Sequence, residues 1–338
     1  MSKKTFSFLK VSVFFLGFSV LLAFAMACTS APAARMPNQI ELKVPAIEDS
    51  LTMGTFTFAV KGEDTLDLDI YQYIKDPKVL QPVMIFVHGG GFYAGTRKED
   101  NIHHFCEEVA KSGYTVLNIS YRLYLKGRSF HCSMPNSEKI NAFRTAVSDL
   151  RTSTQWLLDQ TEYSIDPNNV YIAGSSAGAE AVLHAGYWDA AEMNLDETQL
   201  NDSFDYAGIL AFAGAMVDTT LINKQNNVPL LMYHGTCDPL VPYGSAIHHF
   251  CPENSVGGLP LHGSKSIMER QHNLGGSYKL VSVCGGKHGQ ASIPISKHIP
   301  EIISFLNDCV ERKSFQTHEV VEGSVAKCKY GKEWSPCN

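Results

Sequence analysis

Apolar residues in this chain fall into two recurring forms, short unbroken runs and longer stretches with a helical repeat. Val83 to Val87 is apolar throughout, the pattern of a strand covered on both faces. Tyr114 to Ile119, Val170 to Ala173, Tyr206 to Ala213, Pro229 to His234 and Tyr278 to Cys284 read the same way. Helices are predicted between them, at about Asn101 to Ser112, Lys139 to Gln160 and Ile299 to Glu311. In the longest of these, Phe143, Val147, Leu150, Leu157 and Leu158 share one face. Thr55 to Val60 and Leu66 to Ile74 precede the alternation as two antiparallel strands, with Lys61-Gly62-Glu63-Asp64 turning between them. Buried strands spaced by helices predict an α/β fold, a mostly parallel central sheet with helices on both faces. Residues 186 to 205 and 243 to 275 fit neither period and are expected as loops, either a rim over the site or plain surface.

Composition supports one large domain or two small ones. The chain has 338 residues, 44% of them hydrophobic and 18% charged, enough apolar content for a core and too little charge for a disordered chain. A formal charge of −6, with no basic run interleaved with aromatics, argues against a nucleic-acid partner.

Two glycine-rich motifs follow strands. Gly174-Ser175-Ser176-Ala177-Gly178 has the G-x-S-x-G form of a sharp strand-to-helix turn that presents a serine. A hydroxyl is a weak nucleophile at neutral pH, so Ser176 needs a base beside it and donors for the oxyanion it creates. His88-Gly89-Gly90-Gly91-Phe92-Tyr93 comes after the first parallel strand. Consecutive glycines there let backbone N–H groups approach a ligand oxygen without a side chain in the way.

This pair of motifs resembles the α/β-hydrolase fold, and within it the hormone-sensitive-lipase-like and acetyl-esterase group. The likeness spans roughly residues 45 to 312 and departs at Ser175 and Ala179, where relatives often carry aspartate and glycine. The family's chain order is serine, then acid, then histidine. That order implies Asp238, in Gly235 to Pro242, as the acid, with Asp218 the weaker alternative. It implies His288, in Gly285-Gly286-Lys287-His288-Gly289, as the base, with His234 out of order. The resemblance further implies an oxyanion hole of Gly90, Gly91 and Ala177. His88, Phe92 and Tyr93 are the pocket candidates, and Arg122 is expected to pair with a carboxylate such as Asp149.

The implied activity is hydrolysis of carboxylic esters with short acyl chains, carried by a small molecule or a polysaccharide, with no cofactor and no metal. A peptidase on the same fold and a non-catalytic binding module are the competing readings.

Lys3 and Lys4, the apolar stretch Val11 to Phe24 and Ala25-Met26-Ala27 read as an export signal over 1–27. Cys28 follows at once, an arrangement that resembles a bacterial lipoprotein signal. Lipidation would attach the protein to a membrane, and ordinary secretion from the same cleavage is the alternative. Residues 28–44 then form a tether, 45–312 the hydrolase domain and 313–338 a tail. The other eight cysteines, at 106, 132, 237, 251, 284, 309, 328 and 337, are even in number and in an exported protein could pair fully, spacing alone not choosing the partners, with Cys328 and Cys337 expected to close a terminal loop.

Overall fold

A computed structural model describes residues 51–76, 78–189, 200–201, 204–323, 328 and 337. The expected signal, tether and Cys28 lie outside these residues, as does most of 190–203. The first elements in chain order are β1 (Leu51–Lys61), β2 (Asp64–Tyr73), β3 (Gln81–Val87), α1 (Asp100–Lys111), β4 (Thr115–Ile119) and α2 (Asn136–Leu158). Next come β5 (Ile165–Ser175), α3 (Ala177–Tyr187), β6 (Gly208–Phe212), β7 (Ala215–Met216), β8 (Leu230–Gly235) and β9 (Ser245–Ile247). The last are β10 (Pro260–Gly263), α4 (Ser264–Leu274), β11 (Tyr278–Val283), α5 (Ile293–Lys297), α6 (Ile299–Val310) and β12 (Gln316–Val321).

Nine strands form one sheet in the order β1-β2-β4-β3-β5-β6-β8-β11-β12. β2 pairs antiparallel with both β1 and β4, and the remaining pairs are parallel. Side chains of a strand alternate between faces, so the unbroken apolar runs feed two cores. Val83, Ile85 and Val87 join Val170 and Ile172 on the side of α2 and α3. Met84 and Phe86 join Tyr171 and Ala173 on the side of α1 and α6. The expected sheet is therefore present, with its two antiparallel strands at the N-terminal edge.

Three expectations need correction. Residues 243–275 are not loop: β9 and β10 pair with each other, β10 also pairs with β7, and α4 buries Ile267 and Gln271. The tail is not merely a loop either, because β12 extends the sheet by pairing in parallel with β11. Cys328 and Cys337 do not pair with each other. The disulfides are Cys132–Cys251, Cys237–Cys328 and Cys284–Cys337, since β12 carries the tail back past the loops after β8 and β11. Cys106 and Cys309 remain as buried thiols within the core of the α1 and α6 face, packing there as small apolar groups.

Candidate active site

Ser176 stands between β5 and α3 with φ 52° and ψ −118°. For a residue with a Cβ this backbone is strained, and such strain persists where surrounding structure enforces it. Its N–H donates to Phe212 O at 2.8 Å. A Cβ at Gly174 would lie 2.3 Å from the Gly178 carbonyl carbon, and one at Gly178 would lie 2.1 Å from Val87 O. Both contacts are with backbone, so the turn closes only with glycine on either side. Ser175, one of the two positions that depart from the family pattern, donates its hydroxyl to Ala291 O and ties the turn to the segment following His288.

Three loops at the carboxyl end of the sheet bring distant side chains together. His288 Nε2 is 2.8 Å from Ser176 Oγ, and His288 Nδ1 is 2.7 Å from Asp238 Oδ2. Asp238 is 1% exposed, and its Oδ1 accepts from the N–H groups of Leu240 and Val241 at 2.9 and 3.1 Å. Burial works to raise its pKa, but hydrogen bonds and charge from His234 and His288 prevail and hold the carboxyl well below its usual range. His234 sits behind Asp238, its Nδ1 accepting from Ser264 Oγ at 2.8 Å and its Nε2 facing Val241 O at 3.2 Å. Asp218 lies elsewhere, accepting from Thr220 N at 2.7 Å in a turn.

Gly90 (φ 122°) and Gly91 (φ 61°) take backbone conformations that favour glycine. Gly90 O accepts from Tyr93 N and Ala94 N at 3.2 and 2.9 Å, which curls the loop. Among the described residues, no backbone carbonyl accepts from the N–H groups of Gly90, Gly91 or Ala177. All three residues line the cavity that holds Ser176 and His288.

That cavity encloses about 380 Å³. Phe92 and Tyr93 line it, Phe92 almost fully buried and Tyr93 43% exposed. His88, expected beside them, is behind the wall. Its ring stacks on Tyr121 at 4.5 Å and its Nδ1 faces Gly89 O at 2.7 Å. A ring already packed there turns away from substrate, and burial lowers its pKa to about 4. Tyr121 also donates to His88 O at 3.1 Å, supporting the glycine loop from below. Arg122 does meet Asp149, Nε to Oδ1 at 3.0 Å and Nη2 to Oδ1 at 2.9 Å.

Sequence reading left Glu180 unassigned and missed His248 and His249, all on the cavity wall. Glu180 lies one helical turn beyond Ser176, with its N–H bonded to Ser176 O at 2.9 Å, and that i+4 spacing was the available signal. Among the described residues, no group of three or more His, Cys, Asp or Glu is arranged to hold a metal ion.

The strand order, the tight turn carrying Ser176 and the three converging loops are those of the α/β-hydrolase fold. Comparison with known proteins narrows the class. Residues 68–226 match the BD-FAE family. A 3-O-acetylpapaveroxine carboxylesterase of Papaver somniferum is 27% identical over 191 residues, 53% of this chain and 57% of that protein. The chain spans 57% or less of the length of the sequence relatives considered. Esterase 2 of Thermogutta terrifontis shares the fold with a TM-score of 0.55 at 15% identity, over 79% of this chain and 96% of its own. Brefeldin A esterase, described as a bacterial homologue of human hormone-sensitive lipase, aligns with a TM-score of 0.50 at 13% identity, over 81% of each chain. The chain thus shares the α/β-hydrolase fold with these esterases and is similar in sequence to carboxylesterases.

Proposed function

We propose that this protein hydrolyses carboxylic esters of short acyl chains through an acyl-enzyme on Ser176. The observation that carries the reading is the hydrogen-bonded series Ser176 Oγ, His288, Asp238 at the wall of a cavity. His288 Nε2 takes the hydroxyl proton as Ser176 Oγ attacks the ester carbonyl, and then returns it to the departing alcohol. Asp238 holds Nδ1–H toward itself, which leaves Nε2 as the acceptor and stabilises the imidazolium once formed. The N–H groups of Gly90, Gly91 and Ala177 receive the oxyanion. Water, deprotonated by the same imidazole, then releases the acid.

A cavity of about 380 Å³ favours acetyl to butyryl groups over long chains. Three disulfides and the N-terminal pattern support an exported protein in an oxidising compartment, with Cys28 the proposed lipid attachment point. Turnover of p-nitrophenyl acetate, butyrate and octanoate by wild type and Ser176→Ala tests the reading. Turnover is expected to fall with chain length and to drop by about 10⁴-fold or more in the variant. Ester cleavage that survives the loss of Ser176 sinks the mechanism.

A further inference from the structure

Outside the Ser176–His288–Asp238 series, the cavity wall carries a second pair of titratable side chains from separate elements. Glu180 comes from α3, and His248 from the short turn at His248–Phe250 that follows β9. Each is 2% exposed, and both line the cavity. His248 Nε2 approaches Glu180 Oε1 to 3.2 Å, yet the geometry is not that of a hydrogen bond. Among the described residues, Glu180 Oε1 and His248 Nδ1 are both buried without a hydrogen-bond partner. A buried polar atom left unsatisfied is costly, so two of them on one cavity wall call for an explanation.

The surroundings hold the pair in place. His249 and Phe250 adopt φ of 57° and 49°, an arrangement side chains resist. Next to them Cys251 is bonded to Cys132, which fastens this turn to the segment carrying Phe130. The Phe130 ring packs edge-on against His248 at 4.9 Å. Below it Lys139 Nζ lies 5.1 Å from the Phe130 ring and donates to Gly257 O at 2.7 Å. Strain and a crosslink together fix a polar pair against the substrate space.

We propose that Glu180 and His248 form a specificity subsite for a hydroxyl group carried by the alcohol part of the ester, adjacent to the scissile bond. A hydroxyl both donates and accepts, which suits a carboxyl oxygen and an imidazole nitrogen left without a hydrogen bond among the described residues. Burial first, and then the charge of Asp238, raises the Glu180 pKa well above its ordinary value. Burial lowers that of His248, so burial disfavours the charged form of each group, which suits a neutral ligand. Glu180 and His248 share their cavity with His288, the group that hands a proton to the leaving alcohol, and the subsite is therefore assigned to the alcohol side. The assignment rests on the ester-hydrolase reading above.

The test is the ratio of kcat/KM for 2-hydroxyethyl acetate over propyl acetate, two esters of matched size that differ by a hydroxyl against a methyl group. Wild type is expected to favour the hydroxylated ester by about tenfold or more. In Glu180→Leu, and independently in His248→Leu on the other element, the ratio is expected to collapse toward one. Glu180→Gln keeps a donor and an acceptor, and is expected to hold the ratio within about threefold of wild type. A purely structural role would lower both rates together and leave the ratio in place. An unmoved ratio in both Leu variants, or no preference in wild type, overturns the subsite. Acetate release that persists in Ser176→Ala overturns the hydrolase reading instead.

Discussion

Asp149 is the residue whose removal should reach furthest from the reacting atoms. It lies fully buried in α2 and accepts from the Arg122 N–H at 2.7 Å, from the Arg122 guanidinium at 2.9 and 3.0 Å, and from Lys61 Nζ at 3.1 Å. Asp149→Ala therefore strips one backbone donor and two cations of their shared anion. Breaking a buried ion pair from one side costs about 3–5 kcal/mol. The Arg122 and Lys61 side chains are 20% and 12% exposed, so water recovers part of that loss, and about 3 kcal/mol is the working figure. For a domain of this size that corresponds to a fall in Tm of about 6 °C. Arg122 follows Tyr121, which supports His88 and the glycine loop, so ester turnover should fall as well. Urea melts of wild type and Asp149→Ala, with kcat/KM measured on the folded variant, provide the assay. A stability loss under about 1 kcal/mol would show that the cluster acts as an ordinary surface ion pair, and the reasoning fails.

Two further outcomes are expected. Gly178→Ala forces a Cβ to within 2.1 Å of Val87 O. It should displace Ser176 enough to cut kcat by about 100-fold, and near-normal kcat in the folded variant would remove the close-approach argument. His88 and His184 are buried with pKa values lowered to about 4, in each case by burial acting against a backbone hydrogen bond. The unfolded chain, titrating near 6.5, therefore binds more protons between pH 6.5 and 4. Stability is full above that window and falls as pH drops through it, by up to about 3 kcal/mol per histidine at pH 4. Urea midpoints that stay flat from pH 7 to 4.5 contradict this.

The central strands were legible because each residue of Val83–Val87, Val170–Ala173 and Leu230–Tyr233 faces one of two cores, and continuous burial leaves a continuous apolar run. The turn at Ser176 was legible because glycines two positions away on each side have no substitute there. β12 was not, since nearly all its residues are exposed at the sheet edge and an edge strand needs no apolar alternation. β9 and β10 escaped for their length, being three and four residues long. The direction of the His88 ring is set by Tyr121, 33 residues later in the chain, and no local pattern encodes it. Disulfide partners depend on where the sheet returns the tail, which explains why Cys328 and Cys337, nine positions apart, reach different loops.

Cys237 adjoins Asp238, and Cys284 lies on the stretch leading to His288, while both are bonded to residues in the last eleven positions of the chain. The segments that hold Asp238 and His288 are thus fastened by residues that a ribosome makes well after Ser176 and its turn. A nascent chain carries Ser176 and its turn well before either fastening can be made. These bonds can close only once residues 328 and 337 have been made, in whatever compartment supplies the oxidant.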